Sequence, residues 1–201
     1  VAEALRREIS RPSWSYETVA IGTATDPYQP IEGKYRLTRQ CLEVLCKKSS
    51  PVGLVTKGTL VVRDRDLLAE LSKRAGCSVS FSITTLDEEM WRRLEPGTPP
   101  PHKRLWAMEQ LVQAGVNAGV NLAPVIPGIT DPEENLREVV KGASEHGARF
   151  LGANTLYLKE GTKEHFLAFL QREYPRLVRP YRGLYPGAFA PGPVKDAVQK
   201  R

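Results

Sequence analysis

The chain alternates between two hydrophobic periods. Apolar or β-branched stretches at 18–22, 51–56, 78–84, 116–123 and 149–157, each bounded by Gly, Pro or Asp, read as five strands. Between them lie helical patterns: 35–48 around Leu37, Cys41 and Leu45, then 66–75, 102–114 and 133–146. Gly76, Gly115 and Gly147 stand directly after three of these four helices, where a left-handed backbone stops the helix. A last helix is expected at 163–173. At the start, Val1, Leu5 and Ile9 recur every four residues and read as one face of a helix already under way, with no cap before it. The expectation that follows is that a segment upstream of Val1 has been cut away.

Strands each followed by about 10–15 helical residues make βα units, and that alternation demands a parallel sheet with the helices as crossovers. The expected fold class is therefore α/β. No GxGxxG or GxxxxGKS/T turn follows the first strand, so a partial (β/α) barrel is favoured over an open dinucleotide or P-loop sheet. Residues 1–182 make up the barrel, and 183–201 form a C-terminal tail, rich in Pro and Gly up to residue 193, expected to cross the surface without regular structure.

Composition narrows the class further. The 201 residues suit about one domain, and 41% hydrophobic with 26% charged residues is the balance of a packed domain. No run approaches about 18 consecutive apolar residues and no charged-then-apolar leader opens the chain, so neither a membrane span nor a signal peptide is expected. A cytoplasmic location follows by default. Three cysteines at irregular spacing make no disulfide framework and fit a reducing compartment. The net charge of +6 permits a phosphate-bearing partner, and is equally what a solvated basic surface gives.

In parallel α/β architectures ligands meet the C-terminal ends of the strands, where the loops converge. Here those ends carry Thr23, Thr25 and Asp26 after the first strand, Thr56 and Lys57 after the second, and Ser82 and Thr84 at the third. Pro124 to Gly128 follow the fourth, and Asn154 to Tyr157 lie on the fifth. Each has more than one reading. Thr25 and Asp26 either cap a turn or face a ligand. Lys57 either reaches solvent, fixes a carboxylate, or forms a Schiff base when desolvated. Ser82 and Thr84 are either ordinary half-buried hydroxyls or ligand contacts. What favours the ligand is that all of them fall on one rim.

Four stretches carry a family resemblance: IGTATDPYQPIE at 21–32, LVTKGTLVVRD at 54–64, FSITTLDEEMWRRLEPGTPPPHKRL at 81–105 and APVIPGITD at 123–131. In order and spacing, from about residue 1 to 182, they resemble the radical S-adenosylmethionine (SAM) proteins of the spore photoproduct lyase-like group, often labelled DNA repair photolyases. The resemblance implies a partial βα barrel holding SAM beside a 4Fe-4S cluster. The activity it implies is generation of a 5′-deoxyadenosyl radical, with flavodoxin or ferredoxin as electron donor and DNA lesions as a candidate substrate. By the same resemblance Thr25 and Lys57 hold the SAM carboxylate, and Ser82 reaches the same cofactor. Thr84 reaches the ribose; Val125 and Ile126 pack on the adenine, with Tyr157 supporting that face; Asp26 serves as an amine or backbone anchor.

Two departures qualify this. Radical SAM chemistry needs three thiolates from a CxxxCxxC loop, and the chain has none. Cys41 and Cys46 lie about 140° apart around a predicted helix, Cys77 is 31 residues further on, and all three read as small buried hydrophobes. The cluster ligands are therefore expected upstream of Val1, with no metal ligand in this chain and the chain alone inactive. Second, Thr23 stands where spore photoproduct lyases carry a hydrogen-donating Cys. An O–H bond is too strong to quench a thymine-type radical as a thiol does.

Two other classes remain open. One is a Schiff-base lyase or aldolase using Lys57, although His102, His146 and His165 lie in or beside helices and give that rim no acid/base pair. The other is a non-enzymatic nucleic-acid-binding barrel. Its basis is Arg172, Arg176, Arg179 and Arg182, with Tyr174 and Tyr181 interleaved for base stacking.

Overall fold

The computed structural model describes residues 1–193 and 196. Five strands form one sheet: β1 (Val19–Ile21), β2 (Val52–Thr56), β3 (Cys77–Ser82), β4 (Asn117–Val125) and β5 (Leu151–Thr155). They lie side by side in chain order, and every neighbouring pair is parallel. Leu54 sits between Ile21 and Val79, and Phe81 between Thr56 and Val120. This is the α/β, barrel-type order that the βα alternation predicts, because each crossover helix returns the chain to the next parallel place. Val52, Leu54 and Thr56 are buried in alternation with half-buried neighbours, the period of two that a strand imposes.

The helices are α1 (Ala2–Glu8), α2 (Glu32–Tyr35), α3 (Leu37–Lys47), α4 (Arg65–Arg74), α5 (Glu88–Leu94), α6 (Pro101–Gln113), α7 (Glu133–Glu145), α8 (Thr162–Glu173) and α9 (Val178–Leu184). 3₁₀ segments run over Thr59–Asp64 and Pro175–Leu177. The helix expected over 35–48 is α3, which starts after Arg36, whose left-handed φ of 51° separates it from the extra short turn α2. In α1, Ile9 just past its end is buried and Leu5 packs against the core, while Val1 is exposed. Helix α5 was not read from periodicity. It is short, and its local signal is Asp87, whose side chain accepts from the Met90 amide at 2.7 Å. No helix among the described residues is long and apolar enough to cross a membrane.

Two apolar cores result. The larger lies between the sheet and the helices up to α7, with Leu42, Leu54, Leu68, Val79, Phe81 and Met108 almost wholly buried. The smaller joins Ile126 and Ile129 after β4 to Leu156 and Leu158 after β5, and to Leu170, Tyr181, Tyr185 and Ala190. This overturns the expected unstructured tail over its first part. Residue 183 lies inside α9, Tyr185 is fully buried, and the Leu158 amide donates to the Ala188 carbonyl at 2.8 Å. The aromatic payload of Tyr181 and Tyr185 outweighs the Pro and Gly around them. Residues 194–195 and 197–201 of that tail lie outside the described residues.

A buried polar cluster pins the long connection after β1 to the turn after β2. The carboxylate of Asp64, fully buried, accepts from Arg39 Nη1 (2.9 Å), from Arg63 Nε (2.8 Å) and Nη2 (2.7 Å), and from the Tyr28 hydroxyl (3.1 Å). Arg63 also reaches the Glu32 carboxylate at 2.8 Å, and Glu32 accepts from the Thr38 amide at the start of α3. Two partly exposed guanidiniums thus satisfy two buried carboxylates, Arg39 reaching outward to Asp66 as well, and burial beside Asp64 pushes the Tyr28 phenol upward.

Breaking a buried charge pair leaves its partner uncompensated, so Asp64→Asn is expected to lower unfolding free energy by about 3 kcal/mol in urea denaturation. A loss below about 1 kcal/mol would mean water already solvates the cluster. A pH dependence follows from the thiols. Burial pushes Cys77 up to about 12 from an ordinary 9.0. Its folded pKa is raised, so the stability contributed by the neutral thiol is intact below pH 9 and is lost as pH climbs from 9 towards 12. Stability measured by denaturant titration should decline across that window, and Cys77→Ala should flatten the decline; an unchanged slope would contradict this assignment.

Candidate functional site: a polar cleft at the strand ends

β1 ends in a sharp turn at Gly22, whose φ is +94°. A Cβ there would stand 2.1 Å from the Val55 carbonyl oxygen, so only glycine lets the turn lie against β2. The turn carries Thr23 to Asp26 across the end of β2. Asp26 then fastens it: its Oδ1 accepts from the Tyr28 amide (2.8 Å) and the Thr56 hydroxyl (2.7 Å), and its Oδ2 accepts from the Lys57 amide (2.7 Å). Both oxygens are engaged by the chain itself. Asp26 is therefore a backbone anchor in this structure.

The result is a cleft of about 230 Å³ lined by Gly22, Thr23, Ala24, Thr25, Asp26, Val55, Thr56, Lys57 and Ser82. Thr25 accepts a hydrogen bond from the Gln29 side-chain amide, which leaves its own hydroxyl hydrogen to donate. Ser82 is the last residue of β3 and buried. The Lys57 ammonium, about a third exposed, lies 3.5 Å from Glu95 Oε1. Hydroxyls and one ammonium around a small concave surface make a site for an anion such as a carboxylate.

Thr84 and Ile126 fall elsewhere, in an adjoining cavity of about 150 Å³ shared with Leu94, Glu95, Pro124, Leu156, Phe166 and Phe169. The Thr84 hydroxyl donates to the Ala123 carbonyl at 3.3 Å. Val125 lies in neither space. It is buried in the sheet opposite Thr155 and lines a groove between α7 and the last strands. Tyr157 is half exposed and packs its ring on Phe189 with centroids 4.6 Å apart. The structure thus gathers Thr25, Asp26, Lys57 and Ser82 in one cleft, sets Thr84 and Ile126 beside it, and leaves Val125 and Tyr157 out of both.

Sequence reasoning missed the charge network under this rim. Arg104, on α6, is fully buried. Its guanidinium donates to the carbonyls of Pro99 (2.7 Å) and Ser82 (2.8 Å), to the Thr98 hydroxyl (2.6 Å) and to Glu95 Oε2 (2.7 Å). A signal was present: Arg104, Ala107, Met108 and Leu111 share the inward stripe of α6, and an arginine there demands buried partners. The stacking role expected of Tyr181 is overturned. Its ring is buried against Tyr185 and its hydroxyl donates to the Pro127 carbonyl at 2.5 Å. Tyr174 is half-buried on Phe169, whereas Arg172, Arg176, Arg179 and Arg182 are exposed, with Arg172 paired to Glu173.

The three cysteines do not fit a metal cluster. Cys77 starts β3, at the opposite end of the strand from Ser82, Cys46 is buried near the end of α3, and Cys41 is half-buried. Burial raises all three thiols, against the thiolate that iron requires. Among the described residues no group of three or more His, Cys, Asp or Glu is placed to hold a metal ion.

A model of the radical SAM superfamily matches residues 2–140. An uncharacterized protein of Mycobacterium tuberculosis, Rv2578c, is 39% identical over 202 aligned residues, covering 100% of this chain and 59% of that protein. The chain therefore spans about three fifths of the length of the curated relatives it matches. Among solved structures, spore photoproduct lyase complexed with dinucleoside spore photoproduct superposes with a TM-score of 0.61 at 19% identity, over 87% of this chain and 50% of that one. A double mutant of that lyase with bound AdoMet and dinucleoside spore photoproduct gives 0.58 at 21% identity, with the same coverage. At such identities the likeness is one of fold, and it agrees with five parallel strands in chain order. The family match, over more than half of the residues, decides the rest: this chain belongs to the radical SAM superfamily.

Proposed function

We propose that the chain is the SAM-binding part of a radical SAM enzyme, with the carboxylate end of SAM in the cleft at the ends of β1, β2 and β3. One observation carries this: Thr25, Lys57 and Ser82, from three successive strand ends, line a single small cleft. The Lys57 ammonium supplies a charge-assisted hydrogen bond, and the Thr25 hydroxyl has a hydrogen to donate. Asp26 keeps both residues in register by holding the Thr25 loop to the Lys57 amide. The adjoining cavity, with Thr84, Ile126 and Phe169 on its walls, suits the flatter, less polar part of such a nucleoside. When bound beside a reduced cluster, SAM supplies the family's 5′-deoxyadenosyl radical. The cysteines of this chain do not fit that cluster, so its ligands, and an electron donor of flavodoxin or ferredoxin type, belong outside the residues described.

DNA is the substrate class supported by the basic face of the C-terminal helices. The hydrogen bond from Tyr181 to Pro127 sets α9 beside the turn after β4, and Arg179 and Arg182 on that helix are exposed. Thr23 lines the cleft, and its hydroxyl cannot quench a thymine-type radical as a thiol does, so repair of the spore photoproduct is not part of this proposal. The Schiff-base reading is disfavoured because Lys57 is paired with Glu95, which suits it to act as a cation.

SAM should raise the melting temperature of the chain in a concentration-dependent way. Removing the charge with Lys57→Met should weaken binding tenfold to a hundredfold, from the loss of a charge-assisted hydrogen bond of about 1.5–3 kcal/mol. An absent SAM shift, or one indifferent to Lys57, overturns the assignment. Borohydride trapping of a carbonyl compound on Lys57 would replace it with the Schiff-base chemistry.

A further inference from the structure

The segment from 94 to 105 contributes no side chain to the cleft, yet its Glu95 touches the residue that would grip the ligand. Arg104 explains why Glu95 stands where it does. A fully buried guanidinium is costly unless its donors are met, and here four acceptors meet them at 2.6–2.8 Å. One acceptor is the carbonyl of Ser82, which fixes the end of β3. Two, Pro99 and Thr98, close the turn after α5, and the Thr98 hydroxyl also accepts from Trp91 Nε1 at 3.0 Å. The fourth is Glu95 Oε2. With one oxygen of Glu95 held by a buried cation, the other has a fixed place, and it lies 3.5 Å from Lys57 Nζ.

We propose that Glu95 is a positioning residue for Lys57, itself held by Arg104, so that the ammonium faces the cleft before any ligand arrives. The proposal rests on the assignment of the cleft to the SAM carboxylate. A free lysine side chain samples many rotamers, and fixing it on binding costs about 0.5–1.5 kcal/mol. The pair with Glu95 removes that cost beforehand. Because Glu95 is also paired with Arg104, its charge is shared between two cations, and the Lys57 ammonium keeps donors for the ligand beside an Asp26 carboxylate whose oxygens are already engaged by the chain. Lysine in place of Arg104 would not serve, since a single ammonium cannot span Ser82, Pro99, Thr98 and Glu95 at once. The same guanidinium therefore orders the strand end that bears Ser82 and the ammonium opposite it.

The test is a double-mutant cycle read by equilibrium dialysis of SAM on the chain. Lys57→Met, Glu95→Gln and the double variant are compared with the unaltered protein, each checked by thermal melting. Glu95→Gln keeps the size of the side chain and an acceptor for Arg104 while removing the charge that orients Lys57. It should weaken SAM binding about fivefold to tenfold when Lys57 is present and leave affinity unchanged in the Lys57→Met background. Should Glu95→Gln not stay folded at the assay temperature, Glu95→Asp replaces it, with the same dependence on Lys57 expected from its shorter reach. Equal losses in both backgrounds, or binding as tight as in the unaltered protein, overturn the positioning role. If Lys57→Met itself leaves SAM affinity unchanged, or no variant binds SAM, the cleft assignment fails and the inference falls with it.

Discussion

The arrangement depends on one constraint: five strands paired in parallel, in chain order. Because each strand lies beside its successor, the loop leaving every strand emerges at the same end of the sheet. Residues more than fifty positions apart in the chain, such as Thr25 and Ser82, then become neighbours without any long-range contact of their own. The hydrogen-bonded register of β1 with β2 and of β2 with β3 sets the height of each loop to within a residue. Nothing in the cleft would survive a strand that ran the other way.

On that scaffold the loops are held by buried charge rather than by apolar packing. Asp26 braces the first loop against the second through Thr56 and the Lys57 amide, and Asp64 with Arg39, Arg63 and Glu32 fastens the base of the same connection. Arg104 performs the equivalent task for the third strand end. Buried ion pairs contribute little net stability compared with well-packed hydrophobes. What they give is geometric definition, since guanidiniums such as Arg63 bridge several acceptors at once and fix their relative positions. That suits a site in which three loops of irregular backbone must present side chains within a few ångströms of one another.

Charge also divides the molecule functionally. The cleft is a small polar site lined by hydroxyls, the Asp26 carboxylate and one ammonium, that of Lys57, which is paired with Glu95. Arg179 and Arg182 on α9 and Arg176 just before it are exposed. Between them lies the smaller apolar core, in which Tyr181 and Tyr185 fix the C-terminal helices to the turn after β4. The C-terminal helices are thereby tied to the same strand ends as the cleft.

Periodicity in the sequence already determined the five strands, the main helices and the parallel order, because period-two and helical burial are local properties of the chain. It likewise determined that Thr25, Asp26, Lys57 and Ser82 share a rim, since βα alternation fixes which end of each strand a residue occupies. What the tertiary structure alone decided is which of those side chains is spent on the protein itself. Asp26 is consumed as a brace, Val125 is turned into the sheet, and Tyr157 packs its ring at a tilt against Phe189. The partnership of Glu95 with Arg104 and Lys57 was equally invisible, because it joins the turn after α5, a helix and a strand end through side-chain distances that no local pattern encodes. The tail followed the same logic: its Pro and Gly are local signals of coil, whereas the burial of Tyr185 depends on a neighbour supplied by a distant part of the fold.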